Sequence, residues 1–372
     1  MVHPFFTSVG INAGLADYYS TRSPVTLKFS SVFSVLFPNG GVFDQNVGSW
    51  LNAISSQFRF HGYEFKVSKS IVTDVTNLFY QLGYHPQNAS NVRVFQFWMY
   101  LVWMYQKLAE VNYARDDNIF EFMRGSLIYN TRLVIIGNDP ARFCSSSGYA
   151  FHGSPCPSTW QMLEFMHDEM AFVCDFFKNN LLRLSRREMD GARSNCNLSA
   201  WISQGVLLLN SVLTYFEGGP IMEAWQLFTD FVISYLSNNM NNIVFMFLGA
   251  NAAGKKHLVN KLNHHVIELY HPSFYSFPSM GAFEKNLDWI PMVPFLNANF
   301  YLYQTLGENA MIDWVSLGWF KKGKSFRLFS LKQFFDFVKR RYNAGSGGWG
   351  WVNDDLKVYL NEFGRLSLIA VD

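Results

Sequence analysis

The sequence predicts an α/β protein with a central four-stranded parallel sheet between helices, an α/β/α sandwich. Four short apolar runs are typical of strands buried on both faces. They lie at residues 133–136, 206–209, 243–248 and 266–269. Apolar residues at helical spacing lie between these runs, at residues 158–178 and 220–238. Strands that alternate with helices indicate a parallel sheet covered on both faces. The chain has 372 residues, 49% of them hydrophobic, so it can bury a large core.

The first 114 residues are predicted to form a partly helical N-terminal extension. Within it, residues 88–111 place apolar side chains such as Trp98 and Trp103 on nearly every face of a helix. Such a helix is usually part of a core, and a partner or dimer surface is the alternative. The longest apolar run, residues 94–105, is too short to cross a bilayer, and the N-terminus lacks a signal-peptide pattern. We therefore expect an intracellular protein, in the nucleus of the cell.

A carboxylate follows the first strand of the predicted sheet. That strand stops at Gly137, and Asn138, Asp139 and Pro140 come next. Pro140 cannot extend a strand and keeps Asp139 away from helical geometry. Open α/β sheets bind ligands just beyond the C-terminal ends of their strands, which makes Asp139 a candidate functional residue. An ordinary Asn-Asp-Pro turn is the competing interpretation of these residues alone.

Two later segments are interpreted from their polarity and their glycines. Residues 183–197 are polar and charged, and we expect a solvated loop there. Residues 249–256 nearly match the phosphate-binding pattern GxxxxGK[ST], after an apolar strand and before a helix expected at about residues 253–262. Lys256 stands where the Mg²⁺-binding hydroxyl belongs, so the metal-binding part of that motif is missing.

Residues 318–372 are predicted to form a basic, partly helical C-terminal extension. Residues 321–341 carry eight Lys and Arg against one acidic residue, and Leu328, Leu331 and Phe335 fall on one helical face. The pattern fits a solvated amphipathic helix, and equally a helix that binds phosphates or a protein partner. The formal net charge of the chain is only +2, so a nucleic-acid-binding surface must be local. The four cysteines lack the spacing of a metal site.

Four short motifs, in this order, resemble those of the uracil-DNA glycosylase family. The family's Gly-Gln-Asp-Pro-Tyr-His stands here as Gly-Asn-Asp-Pro-Ala-Arg at residues 137–142, followed by Gly-Tyr-Ala-Phe at residues 148–151. The family's Gly-Val-Leu-Leu-Leu-Asn is intact at residues 205–210. Its His-Pro-Ser-Pro-Leu-Ser is His-Pro-Ser-Phe-Tyr-Ser at residues 271–276. The likeness covers about residues 115–317 and implies the same four-stranded parallel fold. The many Phe and Asn residues suggest a divergent viral member.

The resemblance implies a role for each matched residue in the hydrolysis of uracil from DNA. Asp139 would orient the attacking water, and His271, as a neutral imidazole, would stabilise the departing uracil. The residues expected to bind the base are Asn138, Ala141, Phe151 and Asn210. Those expected to hold the DNA are Arg142, Ser158, Gly249, Ala250, Ser273, Tyr275 and Ser276. The resemblance implies no metal or other cofactor. The expected partners are uracil-containing DNA and, through residues 1–114 or 318–372, replication proteins.

Three of the substitutions in these motifs bear on how the chain would bind uracil-containing DNA. Ala141 replaces the Tyr that crowds the C5 position of the base and excludes thymine. We therefore expect relaxed discrimination between uracil and thymine, unless Tyr149 fills the space. Arg142 replaces a His and brings a positive charge that can reach a phosphate. Tyr275 replaces the Leu that wedges into the space left by the flipped base.

Two other functions compete with an active glycosylase. One is a non-catalytic DNA-binding scaffold or polymerase processivity partner in viral replication. The minor alternative is an NTPase that uses the phosphate-loop-like segment. Asp139, Asn210 and His271 are all present, and a pure scaffold would not need them, so the sequence favours an enzyme.

Overall fold

A computed structural model describes most of the predicted core and short pieces of the chain between residues 58 and 109. The longer described ranges are residues 117–124, 130–140, 147–153, 156–214, 220–273, 293–317 and 324–342. The chain divides into two compact units, residues 1–126 with 216–228, and residues 127–215 with 229–372. Among the described residues, no helix is long and apolar enough to span a membrane.

The first unit contains a small antiparallel hairpin of β1 (Phe58–Phe60) and β2 (Tyr63–Phe65). A 3₁₀ helix, Asp117–Met123, buries Phe120, whose ring stacks on Tyr105 at 5.5 Å. The described residues of the helix predicted at 88–111 are helical, and five of them are buried. These are Leu101, Val102, Met104, Tyr105 and Leu108. A core position is therefore confirmed for this part of the helix.

The second unit is built on a parallel sheet of four strands. They are β3 (Leu133–Gly137), β4 (Val206–Asn210), β5 (Val244–Leu248) and β6 (His265–Leu269). Their order across the sheet is β4-β3-β5-β6, and all three pairings are parallel. Each predicted strand is confirmed to within one residue at either end. The predicted fold class is confirmed as well.

Six helices of the described chain lie within this unit, and a seventh begins in the first unit and continues into this one. They are α1 (Pro157–Phe177), α2 (Arg186–Asn195), α3 (Ser199–Ile202), α4 (Pro220–Asn239), α5 (Ala250–Ala253), α6 (Pro294–Leu306) and α7 (Lys324–Tyr342). Leu133 and Ile135 point to one face, in a core cluster with Trp201 and Trp314. Val134 and Ile136 alternate with them and are also fully buried, so both faces of the sheet are covered.

The loop predicted at residues 183–197 is wrong, because this segment contains α2. Ser185 Oγ accepts a hydrogen bond from Glu188 N at 3.3 Å, and Glu188 Oε2 accepts one from Ser185 N at 2.6 Å. This capping box satisfies two backbone donors at the start of the helix. Met189 and Ala192 supply its buried face. Because this apolar face is so narrow, the polar composition of the segment did not indicate a helix.

The helix predicted at about residues 253–262 is also wrong. The chain forms only the four-residue α5, then a 3₁₀ turn, Lys256–Leu258. The side chain of Lys255 turns inward and pairs with Asp230 of α4. Asn260 Oδ1 then accepts from Leu262 N at 3.1 Å, which stabilises a turn instead of a further helical turn.

The predicted amphipathic C-terminal helix is confirmed as α7. Its buried apolar residues, Leu328, Leu331, Phe334 and Phe335, belong to the same core cluster as the sheet. Phe334 contacts Phe172 of α1 edge-on, and Phe335 contacts Phe300 of α6 at 5.3 Å. Two of its cations are used within the protein, since Arg327 pairs with Asp313 and Lys332 with Asp336. The side chains of its other cations lie outside the described residues.

Candidate active site

The predicted functional residues meet at one edge of the sheet. Asn138 and Asp139 follow β3, Asn210 is the last residue of β4, and Gly249 follows β5. His271 lies two residues beyond the end of β6. Parallel strands end at the same edge, so residues far apart in sequence converge there. The strand order reverses at β3, which places these residues at the switch point where open α/β sheets bind ligands.

Gly137 brings an amide and an aromatic ring together at this edge. Its strand register pairs it with Asn210. A Cβ atom on Gly137 would lie 2.6 Å from Asn210 Oδ1 and 2.9 Å from Phe151 Cζ. Any larger side chain would therefore displace both groups. The sequence motif contains this glycine, but its spatial role depends on the pairing of β3 with β4.

Gly249 brings two further residues, Asn138 and His271, close together. It has φ of 95°, a conformation that favours glycine. A Cβ atom there would lie 2.9 Å from His271 Cβ and 3.2 Å from Asn138 Nδ2. The rings of Phe151 and His271 are 6.1 Å apart between centroids and tilted by 35°. Asn138, Phe151, Asn210 and His271 thus surround one small site.

Hydrogen bonds fasten the segment after β4 to the segment after β3. Ser211 donates to the Gly137 carbonyl from both its N–H, at 2.9 Å, and its hydroxyl, at 3.0 Å. Val212 N donates to the Asn138 carbonyl at 2.9 Å. Thr229 Oγ1 in turn donates to the Ser211 carbonyl at 2.9 Å. Sequence reasoning missed Ser211 and Thr229, because nothing in their local pattern shows which carbonyls they reach.

His271 is held as a neutral base at physiological pH. Burial lowers the pKa of its imidazole to about 4. Its Nδ1 and Asn138 Oδ1 are buried, and neither has a hydrogen-bond partner among the described residues. Asp139 is exposed as a whole residue, but its carboxyl is partly buried. This burial raises the pKa of the carboxyl above its ordinary value. A raised pKa makes its carboxylate a better proton acceptor.

The DNA-holding residues are described only in part. Ser158 is the second residue of α1, after the N-cap residue Cys156. Gly249 N donates to the Leu269 carbonyl at 2.8 Å, and the next residue, Ala250, is exposed. Ser273 is partly exposed just beyond His271. The other predicted residues, Ala141, Arg142, Tyr275 and Ser276, lie outside the described residues.

Two further expectations concern neighbouring side chains. Tyr149, the candidate to fill the space left by Ala141, is half-buried and packs edge-on against His152 at 5.7 Å. Lys255, the lysine of the phosphate-loop-like segment, is buried in its pair with Asp230 instead of pointing into an open loop.

In the described part of the chain, no group of three or more His, Cys, Asp and Glu side chains is placed to hold a metal ion.

Known proteins are similar to this region of the chain. The model of the uracil DNA glycosylase superfamily matches residues 125–289. The uracil-DNA glycosylase of Streptococcus equi subsp. zooepidemicus is 35% identical over 209 residues, which are 55% of this chain and 84% of the relative. That of Borrelia turicatae is 47% identical over 193 residues, or 48% of this chain and 80% of the relative.

Among solved structures, mimivirus uracil-DNA glycosylase is similar at 22% identity and a TM-score of 0.37, over 59% of this chain and 80% of its own. The curated relatives decide the assignment. They exceed 30% identity, and this chain covers at least four-fifths of the two just named. The chain therefore belongs to the uracil-DNA glycosylase family.

Proposed function

We propose that this protein releases uracil from DNA by hydrolysing the N-glycosidic bond, leaving an abasic site. The observation that carries this proposal is the convergence around two glycines. Gly137 adjoins Asn210 and Phe151, and Gly249 adjoins Asn138 and His271. These side chains supply an amide edge, an aromatic face and a neutral imidazole around one space. Together they fit a single planar base that has been swung out of its stack.

Asn210 is the residue that selects the base in this proposal. Its side-chain amide offers one acceptor and two donors, which match N3–H and O4 of uracil and mismatch cytosine. Phe151 stacks on the face of the base, a contact worth about 1–3 kcal/mol per base. Both side chains lie close to Gly137, so the amide edge and the aromatic face keep the same position relative to each other.

Asp139 and His271 carry the chemistry. A water molecule attacks C1′ of the deoxyribose, and its oxygen forms the new bond as the bond from C1′ to N1 of uracil breaks. The electron pair of that bond leaves with uracil, and the carboxylate of Asp139 takes the proton of the water. The neutral imidazole of His271 donates a hydrogen bond to O2 of the departing uracil anion. Its lowered pKa is consistent with this neutral form.

The DNA strand is held by contacts that carry no sequence information. Ser158, Ser273 and the backbone around Ala250 are proposed to donate hydrogen bonds to phosphates. Arg142 and Ser276 are proposed to add further phosphate contacts. Tyr275 is proposed to stack in the gap left by the flipped base. Through residues 1–114 or 318–372 the protein would also contact replication proteins in the nucleus. A gain in processive excision on addition of a replicative polymerase would test that contact.

The test of the function is base release from three matched oligonucleotides. They carry one uracil, one thymine mispaired with guanine, or neither, and alkaline cleavage reveals abasic sites. Release from the uracil strand is the expected result. Binding of the uracil strand without any release would contradict the enzyme and support the scaffold.

The same assay tests the widened pocket that Ala141 implies. We expect the natural protein to release mispaired thymine as well as uracil. Restoring a ring with Ala141→Tyr should lower thymine release by about 10-fold or more while uracil release is kept, because the ring meets the C5 methyl group. Equal thymine release by both proteins would contradict this interpretation.

A further inference from the structure

A strained aromatic residue forms one wall of the active site. Phe151 has φ of 63°, a left-handed conformation that bulky side chains rarely adopt. Such a backbone persists only where the surrounding contacts over-determine it. In this conformation the ring reaches the space beside Gly137 and faces His271. The position of the ring therefore depends on whatever holds the backbone at residues 150–153.

Hydrogen bonds hold this backbone on several sides. Ala150 N donates to the Leu208 carbonyl of β4 at 3.2 Å. Thr159 Oγ1, in the first turn of α1, donates to the Phe151 carbonyl at 3.1 Å. Ser147 Oγ donates to the carbonyl of the next residue, His152, at 2.9 Å. These bonds fix the Ala150 N–H and the carbonyls of Phe151 and His152, but none of them ties the segment to α2 or α3.

Two hydrogen bonds make that tie, and one of them uses the side chain of His152. Leu198 N, which lies between α2 and α3, donates to His152 Nδ1 at 2.9 Å. Beside it, Gly153 N donates to the Cys196 carbonyl at 3.0 Å. Because Nδ1 accepts a hydrogen bond, the ring is neutral and its proton is on Nε2. Burial lowers the pKa of His152, which favours this neutral form. A hydrogen bond to the Cys196 backbone offsets part of that decrease.

We propose that His152 is a positioning residue for the flipped base. By accepting the Leu198 N–H, its Nδ1 holds Phe151 in the left-handed conformation that stacks on uracil. His152 contributes no group to the reaction and acts through Phe151. This inference rests on the proposed function, because the stack is a step in uracil binding.

A matched pair of variants separates the hydrogen bond from the volume of the side chain. Asn and Leu have similar size, but His152→Asn keeps an acceptor near Nδ1 and His152→Leu does not. On a uracil-containing oligonucleotide, His152→Leu should raise KM about 5–10-fold. This corresponds to the loss of a substantial part of the free energy of base stacking. Its kcat should change less than about twofold, because the stack stabilises bound substrate and transition state alike. His152→Asn should stay within about twofold of the natural protein in KM.

A double-mutant cycle with Phe151→Ala shows whether His152 acts through the ring. In that background, His152→Leu should change KM by less than about twofold. Full multiplication of the two effects, or equal KM values for the Asn and Leu variants, would overturn the positioning role. If His152→Leu does not fold, His152→Ala is the acceptor-free variant, with the same expectation for KM.

The outcomes distinguish this inference from the function on which it rests. A natural protein that releases no uracil would overturn the proposed function, and the positioning role with it. An active natural protein whose His152 and Phe151 variants act independently would overturn the positioning role alone.

Discussion

A single carboxyl group, that of Asp139, accepts the proton in the proposed reaction. Asp139→Asn keeps the shape of the side chain but removes the base, so kcat should fall about 10²–10⁴-fold. Affinity for uracil-containing DNA should change little, because the base and the phosphates are held by other residues. Single-turnover rates and fluorescence anisotropy measure the two quantities. Asp175→Asn, at an exposed carboxylate paired with Arg183, is the control and should leave both unchanged. A normal rate for Asp139→Asn would rule out its role as the base.

The imidazole of His271 links the active site to pH-dependent stability. Its pKa is about 4 in the folded protein, against an ordinary value of 6.5. The unfolded chain therefore binds more protons between these values, and the free energy of unfolding should decrease as pH falls from 6.5 towards 4. In His271→Gln, a neutral side chain of similar reach, the decrease between about pH 7 and about pH 5 should be smaller by about 2 kcal/mol.

Urea unfolding of both proteins at the two pH values measures this difference. Burial also lowers the pKa of His152 and His264. Their contributions are common to both proteins and cancel in the comparison. The same decrease in stability for the natural protein and His271→Gln would show that His271 is not buried as a neutral base.

At the scale of an element, α7 is attached to the core through an ion pair. Arg327 Nε and Nη2 donate to the carboxylate of Asp313 at 2.6–3.0 Å, and the Asp313 side chain is 0% exposed. Arg327→Met should lower the free energy of unfolding by about 3–5 kcal/mol, because it leaves a buried carboxylate unpaired. Removing both charges, with Arg327→Met and Asp313→Leu together, should recover much of that loss.

Urea denaturation measures these changes, and the same helix offers a control. Lys332→Met removes a cation whose pair with Asp336 is 34% exposed on both sides, so it should cost less than about 1 kcal/mol. Equal losses for the Arg327 and Lys332 variants would show that the Arg327 pair is no more than a surface contact.

At the scale of the whole molecule, the net charge of +2 provides little long-range attraction to DNA. Affinity must then come from local phosphate contacts, which release counterions. With two to four such contacts, Kd for a uracil-containing duplex should rise about 10–100-fold between about 50 and 200 mM KCl. Asp139→Asn is the protein to titrate, since it prevents turnover, and a duplex without uracil reports the non-specific part. A Kd independent of salt would count against DNA as the substrate.

The sequence by itself determined the strands of the sheet and the residues at their ends. Buried parallel strands leave a local signal, a short apolar run, and the motifs place Asp139, Asn210 and His271 directly after such runs. It also indicated α7, because an amphipathic helix leaves its period in the chain. It failed at α2, where the polar composition outweighed the Ser185 and Glu188 capping signal.

Only the tertiary structure decided which of these residues meet. The β4-β3-β5-β6 order sets Gly137 beside Asn210, and Gly249 beside Asn138 and His271. The tertiary structure also places Lys255 beside Asp230 and Arg327 beside Asp313. These contacts join residues far apart in the chain, so no local period records them. Local patterns determine elements, whereas the order of strands and the need to pair buried charges determine the site.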